Sequence, residues 1–155
     1  MINQQKPDFD FAMLLEEVDL WEQYRQIWLE REAVISNKGD AEQMWAEAIR
    51  LARIGLNSED RSFAFDYPDS RQQQRLVSGN IVANIEGRLH RFRHEKLQDF
   101  LYAWDATQRG MMPSAVMTEI KPYRTRNILD WMAEIYRRAG SRLFEPFLRE
   151  ALDVQ

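Results

Sequence analysis

The chain contains no cysteine, which excludes disulfides, thiolate metal sites and cysteine nucleophiles and fits a reducing compartment, the cytoplasm being the default. Histidine is almost as scarce. His90 and His94 are the only two, so any imidazole chemistry has to sit within four residues. No stretch approaches the roughly 18 apolar residues of a membrane span, and Met1-Ile2-Asn3-Gln4-Gln5-Lys6-Pro7 lacks a charged region followed by an apolar run, so neither insertion nor secretion is expected. Glycine-rich phosphate loops, GxSxG elbows, HExxH pairs and paired metal-binding acidic motifs are missing as well. That leaves no small-molecule cofactor in view and makes an enzyme the less favoured reading.

What is present reads as a folded chain. The 155 residues carry 8 Phe, 5 Trp and 5 Tyr, too many aromatics for disorder, and enough chain for one domain with one core. The net charge of −4 is unevenly spread. Residues 1–70 hold 7 basic against 15 acidic side chains and residues 71–155 hold 14 against 10, so an acidic first half precedes a basic second half. The basic residues are 17 arginines and only 4 lysines, and arginine is the better bidentate partner for phosphate or carboxylate.

Periodicity points to helices throughout. After a flexible leader, 1–7, a first helix runs from a cap at Asp8 or Asp10 to about Ile35, with Leu14, Val18, Trp21, Trp28 and Ile35 on its apolar stripe and Met13, Tyr24 and Ile27 widening it. Ser36-Asn37-Lys38-Gly39 stops it, and Asp40 starts a second helix with Met44, Trp45, Ala48, Ile49, Leu51 and Ala52 inward, ended by Gly55 and Asn57-Ser58. Phe63, Phe65 and Tyr67 alternate as in a strand but have no evident partner, so 57–70 reads as an ordered loop pinned by aromatics, with Asp69 or Ser70 capping the next helix.

Arg71 to Trp104 has no proline and only two glycines, and reads as a long central helix. On a wheel of about 100° per residue with Ile85 at zero, Val77, Ile81, Leu89 and Phe92 fall between about 280° and 40°. Leu97, Phe100, Leu101 and Trp104 fall near 110°, so the helix is kinked near 93–96 or changes neighbours there. A short helix to about Ile120, a helix capped by Thr125 with Ile128, Trp131, Met132, Ile135 and Ala139 inward, and a last helix from about Pro146 with Phe144, Phe147, Leu148, Ala151 and Leu152 inward complete the chain. The expected fold class is all-α: a single-domain helical bundle of about five to six helices over 8–155, built on a long central helix, with Trp21, Trp28, Trp45, Ile81, Ile85, Leu89, Trp104, Trp131 and Ile135 in its core.

Three constellations could carry chemistry. Glu86, His90 and His94, four residues apart, would share one stripe of a helix as candidate metal ligands. Arg71, Arg75, Arg88, Arg91, Arg93 and Lys96 on the central helix, with Lys121, Arg124, Arg126, Arg137, Arg138 and Arg142 around the penultimate one, would form a phosphate-binding strip if the two helices lay side by side, and Tyr123 or Tyr136 could stack on a base. Finally, Arg88 and His94, with five residues between them on a helical bundle, resemble the motif of HEPN ribonucleases. That resemblance implies a metal-independent nuclease in which Arg88 binds the scissile phosphate, His94 moves a proton, and two subunits bring their pairs together. The favoured expectation is different: a non-catalytic subunit or adaptor of a cytoplasmic complex, binding a protein partner or a second copy, with nucleic-acid backbone on the arginine-rich half, no membrane and no cofactor. Five tryptophans and seven methionines in so small a chain favour an apolar protein-binding surface.

Overall fold

The computed structural model describes residues 9–35, 37–65 and 70–154, with side chains from Val18 onward. The leader 1–7, Asp8, Tyr67, Asp69 and the side chains of Asp10, Met13 and Leu14 lie outside the described residues. Seven helices and a small sheet are described: α1 Phe9–Ile35, α2 Lys38–Leu56, β1 Phe63–Ala64, α3 Arg71–Ser78, β2 Val82–Glu86, β3 Leu89–Phe92, α4 Glu95–Gln108, α5 Pro113–Glu119, a 3-10 turn Pro122–Arg124, α6 Thr125–Arg138 and α7 Phe144–Val154. The chain is mostly helical but not all-α.

The largest departure is the stretch 71–104, which is two helices separated by a β-hairpin and not one long helix. Ser70 caps α3, its hydroxyl accepting from Gln73 N at 3.3 Å. Gly79 and Asn80 then end α3, with Asn80 at φ +63°, and Gly87 at φ +56° makes the turn between β2 and β3. The three strands form an antiparallel sheet in the order β1-β3-β2, with Phe63 opposite His90 and Val82 opposite Phe92. Phe63-Ala64 therefore does have a strand partner, supplied by residues that helical periodicity claims. The expected change of face near 93–96 is a break: His94 is the extended residue at the start of α4.

The side chains expected in the core divide accordingly. Trp28, Trp45, Ile81, Trp131 and Ile135 are buried, and Trp21 and Trp104 are half-buried. Ile85 and Leu89 are 45% and 41% exposed, because in a hairpin they face outward. In α7, Phe147 and Ala151 are buried while Leu148 and Leu152 are exposed.

Two apolar clusters hold the helices together. One gathers Phe100, Tyr102, Ile128, Met132 and Phe147 where α4 meets α6 and α7. The other gathers Trp28, Met44, Trp45, Leu76, Ile81, Phe92 and Leu97 where α1, α2 and α4 meet the hairpin and α3. Trp21 packs against both. Beside it the Arg25 guanidinium lies over the rings of Trp104 and Trp45, at 4.1 and 5.8 Å from their centroids, so a cation–π ladder ties α1 to α2 and α4.

Candidate interaction surface

The residues singled out for metal or nuclease chemistry do not share a helix. Glu86 is exposed at the end of β2, His90 is buried on β3, and His94 is exposed at the head of α4. The His90 ring stacks on Phe65 at 3.7 Å between centroids; its Nδ1 lies 2.9 Å from Arg88 O and its Nε2 3.4 Å from Asn84 Nδ2. A carbonyl at one nitrogen and an amide donor at the other suit the tautomer that carries its proton on Nδ1. Both nitrogens are thereby occupied within the chain. Arg88 sits beside the turn and donates to Phe65 O from Nε (3.0 Å) and from Nη2, while the His94 ring faces that of Trp21. Among the described residues no three His, Asp or Glu side chains converge as a metal site would require.

Most arginines of the expected phosphate strip are engaged by the protein itself. Arg75 grips Glu32, Arg71 approaches Asp40 at 3.6 Å, and Arg91 approaches Asp60 at 3.5 Å. Arg137 and Arg138 both bind Glu134 at 2.7 Å, and Arg138 also binds Asp19 on α1. The paired carboxylates raise the pKa of Arg138 further above its ordinary value, chiefly through the hydrogen bond to Asp19. Arg124 donates to the carbonyls of Gly55, Leu56, Ser58 and Glu59, closing the end of α2 where unpaired carbonyls and the negative helix pole attract a cation. Arg93, Lys96 and Arg126 are exposed. Arg71 and Arg75 on α3 also lie apart from the arginines of α6, since α3 packs on α2 and β2 whereas α6 packs on α4, α1 and α7. Arg126 borders a cleft of about 270 Å³ with Met117, Thr125, Leu129 and Val154, below the ~300–1,000 Å³ of ordinary ligand pockets.

The feature without an internal explanation is the outer face of α1. Its inner face carries Val18, Trp21, Arg25, Trp28 and Glu32. Leu20, Ile27 and Val34 occur at steps of seven and are 57%, 61% and 87% exposed, with Ile35 beside them at 60%. At about 100° per residue they lie within about 20° of one line, opposite the core, and 14 residues at a rise of about 1.5 Å make the stripe about 21 Å long. Single exposed leucines are ordinary, but three aligned on one helix, about 10.5 Å apart with Gln23, Tyr24, Glu30 and Arg31 between them, form an apolar repeat of the kind that marks a contact surface.

Sequence reasoning drew Ile27 and Ile35 into the buried stripe and passed over Leu20 and Val34. The signal that separates the two faces is the seven-residue repeat itself, since Trp21 and Trp28 repeat by seven as well, one residue out of phase with Leu20 and Ile27. Bulk decides between them: the tryptophans take the core, and the smaller aliphatic residues are left outside.

Compared with protein-family models, curated proteins and solved structures, the chain matches none.

Proposed function

We propose that this protein is a non-catalytic interaction subunit that docks another polypeptide along the outer face of α1. The single observation that carries the reading is the Leu20–Ile27–Val34 stripe, which no described element of the chain covers. Burying three aliphatic side chains of this size is worth roughly 1.5–3 kcal/mol each, enough to anchor a helix in a groove or alongside another helix. The arginine-rich second half contributes to this reading as internal ties, Arg75 to Glu32 and Arg138 to Asp19 between helices and Arg137 and Arg138 to Glu134 within α6, and not as a strip for nucleic-acid phosphates.

The test is the native mass of the wild-type chain and of Ile27→Glu in extracts of cells that express it. The wild type should run above the 18.5 kDa of one chain and Ile27→Glu should run at that mass, with unchanged helical circular dichroism. A wild type already at 18.5 kDa, or a variant that stays in the larger species, ends the reading.

A further inference from the structure

We infer that the cleft between α5, α6 and α7 binds a short aliphatic monocarboxylate, with Arg126 holding the carboxylate and Met117, Leu129 and Val154 covering the tail. The inference is independent of the docking role of α1.

The walls of the cleft are fixed by bonds made outside it. Met117 comes from α5, Thr125, Arg126 and Leu129 from α6, and Val154 from α7. Helix α5 is pinned at both ends. Near its start Ser114 N donates to a carboxylate oxygen of Glu150 on α7 at 2.8 Å. At its end the Glu119 carboxylate accepts from Arg109 at 2.8 Å and from the Tyr102 hydroxyl at 2.9 Å. Met117 is thereby held from settling onto Leu129, so the space exists before any ligand arrives. Leu129 and Thr125, 3% and 6% exposed, are the most buried of the lining residues and form the floor. Met117 and Val154 are half-buried, and Arg126 is exposed at the rim.

Arg126 stands apart from the other arginines of this stretch. Arg124 is engaged by the backbone carbonyls at the end of α2, and Arg137 and Arg138 by Glu134. Arg126 makes no hydrogen bond or ion pair among the described residues, and Asp130, four residues on, acts on it from beyond ion-pair distance. Its guanidinium therefore offers a fork of donors that a carboxylate matches with two parallel hydrogen bonds. The Thr125 hydroxyl is not a second donor, because it already donates to Pro122 O at 2.7 Å. One cation beside an apolar floor and walls makes up the recognition set.

That set defines the ligand class. A second anionic group would meet apolar wall or Asp130 without a cation to receive it, and a cationic ligand would meet Arg126. Size sets the length. A closed cavity of about 150 Å³ takes the six carbons of benzene, so an open cleft of about 270 Å³ has room for hexanoate, with six carbons and two oxygens.

The test titrates sodium hexanoate into the isotopically labelled full chain at constant ionic strength and follows the amide resonances. Saturable shifts should appear at Met117, Thr125, Arg126, Leu129 and Val154, with a dissociation constant on the order of 1 mM. Each methylene added from butanoate to hexanoate should tighten binding by up to about fourfold. Hexanol keeps the tail and lacks the charge, and Arg126→Gln removes an exposed cation without disturbing the core, so each should weaken binding at least about tenfold. Arg126→Lys, with charge but no fork, should fall between the wild type and Arg126→Gln.

Three results overturn the proposal. The first is no saturable shift up to about 20 mM hexanoate. The second is binding that persists undiminished in Arg126→Gln. The third is acetate binding as tightly as hexanoate, which would reduce the effect to attraction of a salt ion by an exposed arginine.

Discussion

Arg75 closes a fork on Glu32, its Nη2 lying 2.7 and 2.8 Å from the two carboxylate oxygens and its Nε 3.0 Å from Oε1. The carboxylate is only 2% exposed, while the arginine side chain keeps 29%. The pair ties the short α3 to the last turn of α1. Removing the cation alone leaves a buried charge without its partner, which for fully buried pairs costs about 3–5 kcal/mol. Because Arg75 reaches solvent, Arg75→Met is expected at or below the lower end of that range, about 2–3 kcal/mol in a urea titration. The double variant Glu32→Met with Arg75→Met should recover part of the loss. A double variant less stable than Arg75→Met would show that the buried charge is not the problem.

Glu134 on α6 supplies the pH dependence. Burial by itself would raise its carboxyl, but hydrogen bonds from Arg137 and Arg138 outweigh burial and hold the pKa below the ordinary 4.5. A depressed carboxyl contributes stability that is fully present above its unfolded value and is lost as pH falls through the folded one. The melting temperature should therefore drop below about pH 4.5, and Glu134→Gln should flatten that drop while lowering the plateau at neutral pH. Thermal melts from pH 7 down to pH 3 read both. An unaltered acid limb in Glu134→Gln would assign the drop to other carboxylates, such as Glu119, whose bond from Arg109 lowers its pKa in the same direction.

How far the sequence was legible depended on spacing. Helices α1, α2, α5 and α6 could be read because their apolar residues step by three and four and Asn37, Pro113 and Gly140 mark ends among them, each with a local backbone reason. The hairpin could not, because Val77, Ile81, Ile85 and Leu89 step by four. Four is close to a helical turn, so the spacing reads as one helix although Val77 lies on α3, Ile81 just before β2, Ile85 on β2 and Leu89 on β3. Gly79-Asn80 and Gly87 bracket the strands and were the better evidence. The internal partners of the arginines were illegible for a different reason: a cation's charge is visible in a sequence, but carboxylates forty or a hundred residues away that bind it, as Glu32 binds Arg75 and Asp19 binds Arg138, are not. The outer stripe of α1 is written in the chain as a second heptad-spaced face, one residue out of phase with the bulkier Trp21 and Trp28 that take the core.

Gly55 marks a close approach that no side chain can enter. A Cβ built there would lie 2.3 Å from Gln98 Nε2 and 2.6 Å from Arg61 O. The glutamine belongs to a network: its Oε1 accepts from Arg61 Nη1 at 2.9 Å, and the same guanidinium binds Asp99 at 2.9 Å. Since the second clash is with backbone, moving Gln98 alone cannot relieve it. Gly55→Ala should therefore cost at least the about 1–3 kcal/mol typical of overpacking and should lower the midpoint of thermal unfolding. Gly55→Ala at wild-type stability would mean that the α2 end and the 57–62 loop can separate without loss.

Gly87 provides the opposite case. Its φ is positive, +56°, yet a Cβ there would meet nothing within 4 Å. The cost of Gly87→Ala is thus confined to the left-handed backbone, about 1–2 kcal/mol, with no packing term. Asn tolerates that conformation better than alanine, so Gly87→Asn should recover much of the loss. The Asn84 side chain, which donates to Gly87 O at 2.8 Å, links the turn to the His90 ring on the neighbouring strand. Loosening the turn should therefore speed amide hydrogen exchange in residues 82–92 before it touches α4 or α6. Exchange that accelerates equally in the hairpin and in α6 would instead show that the sheet and the helices open as one unit.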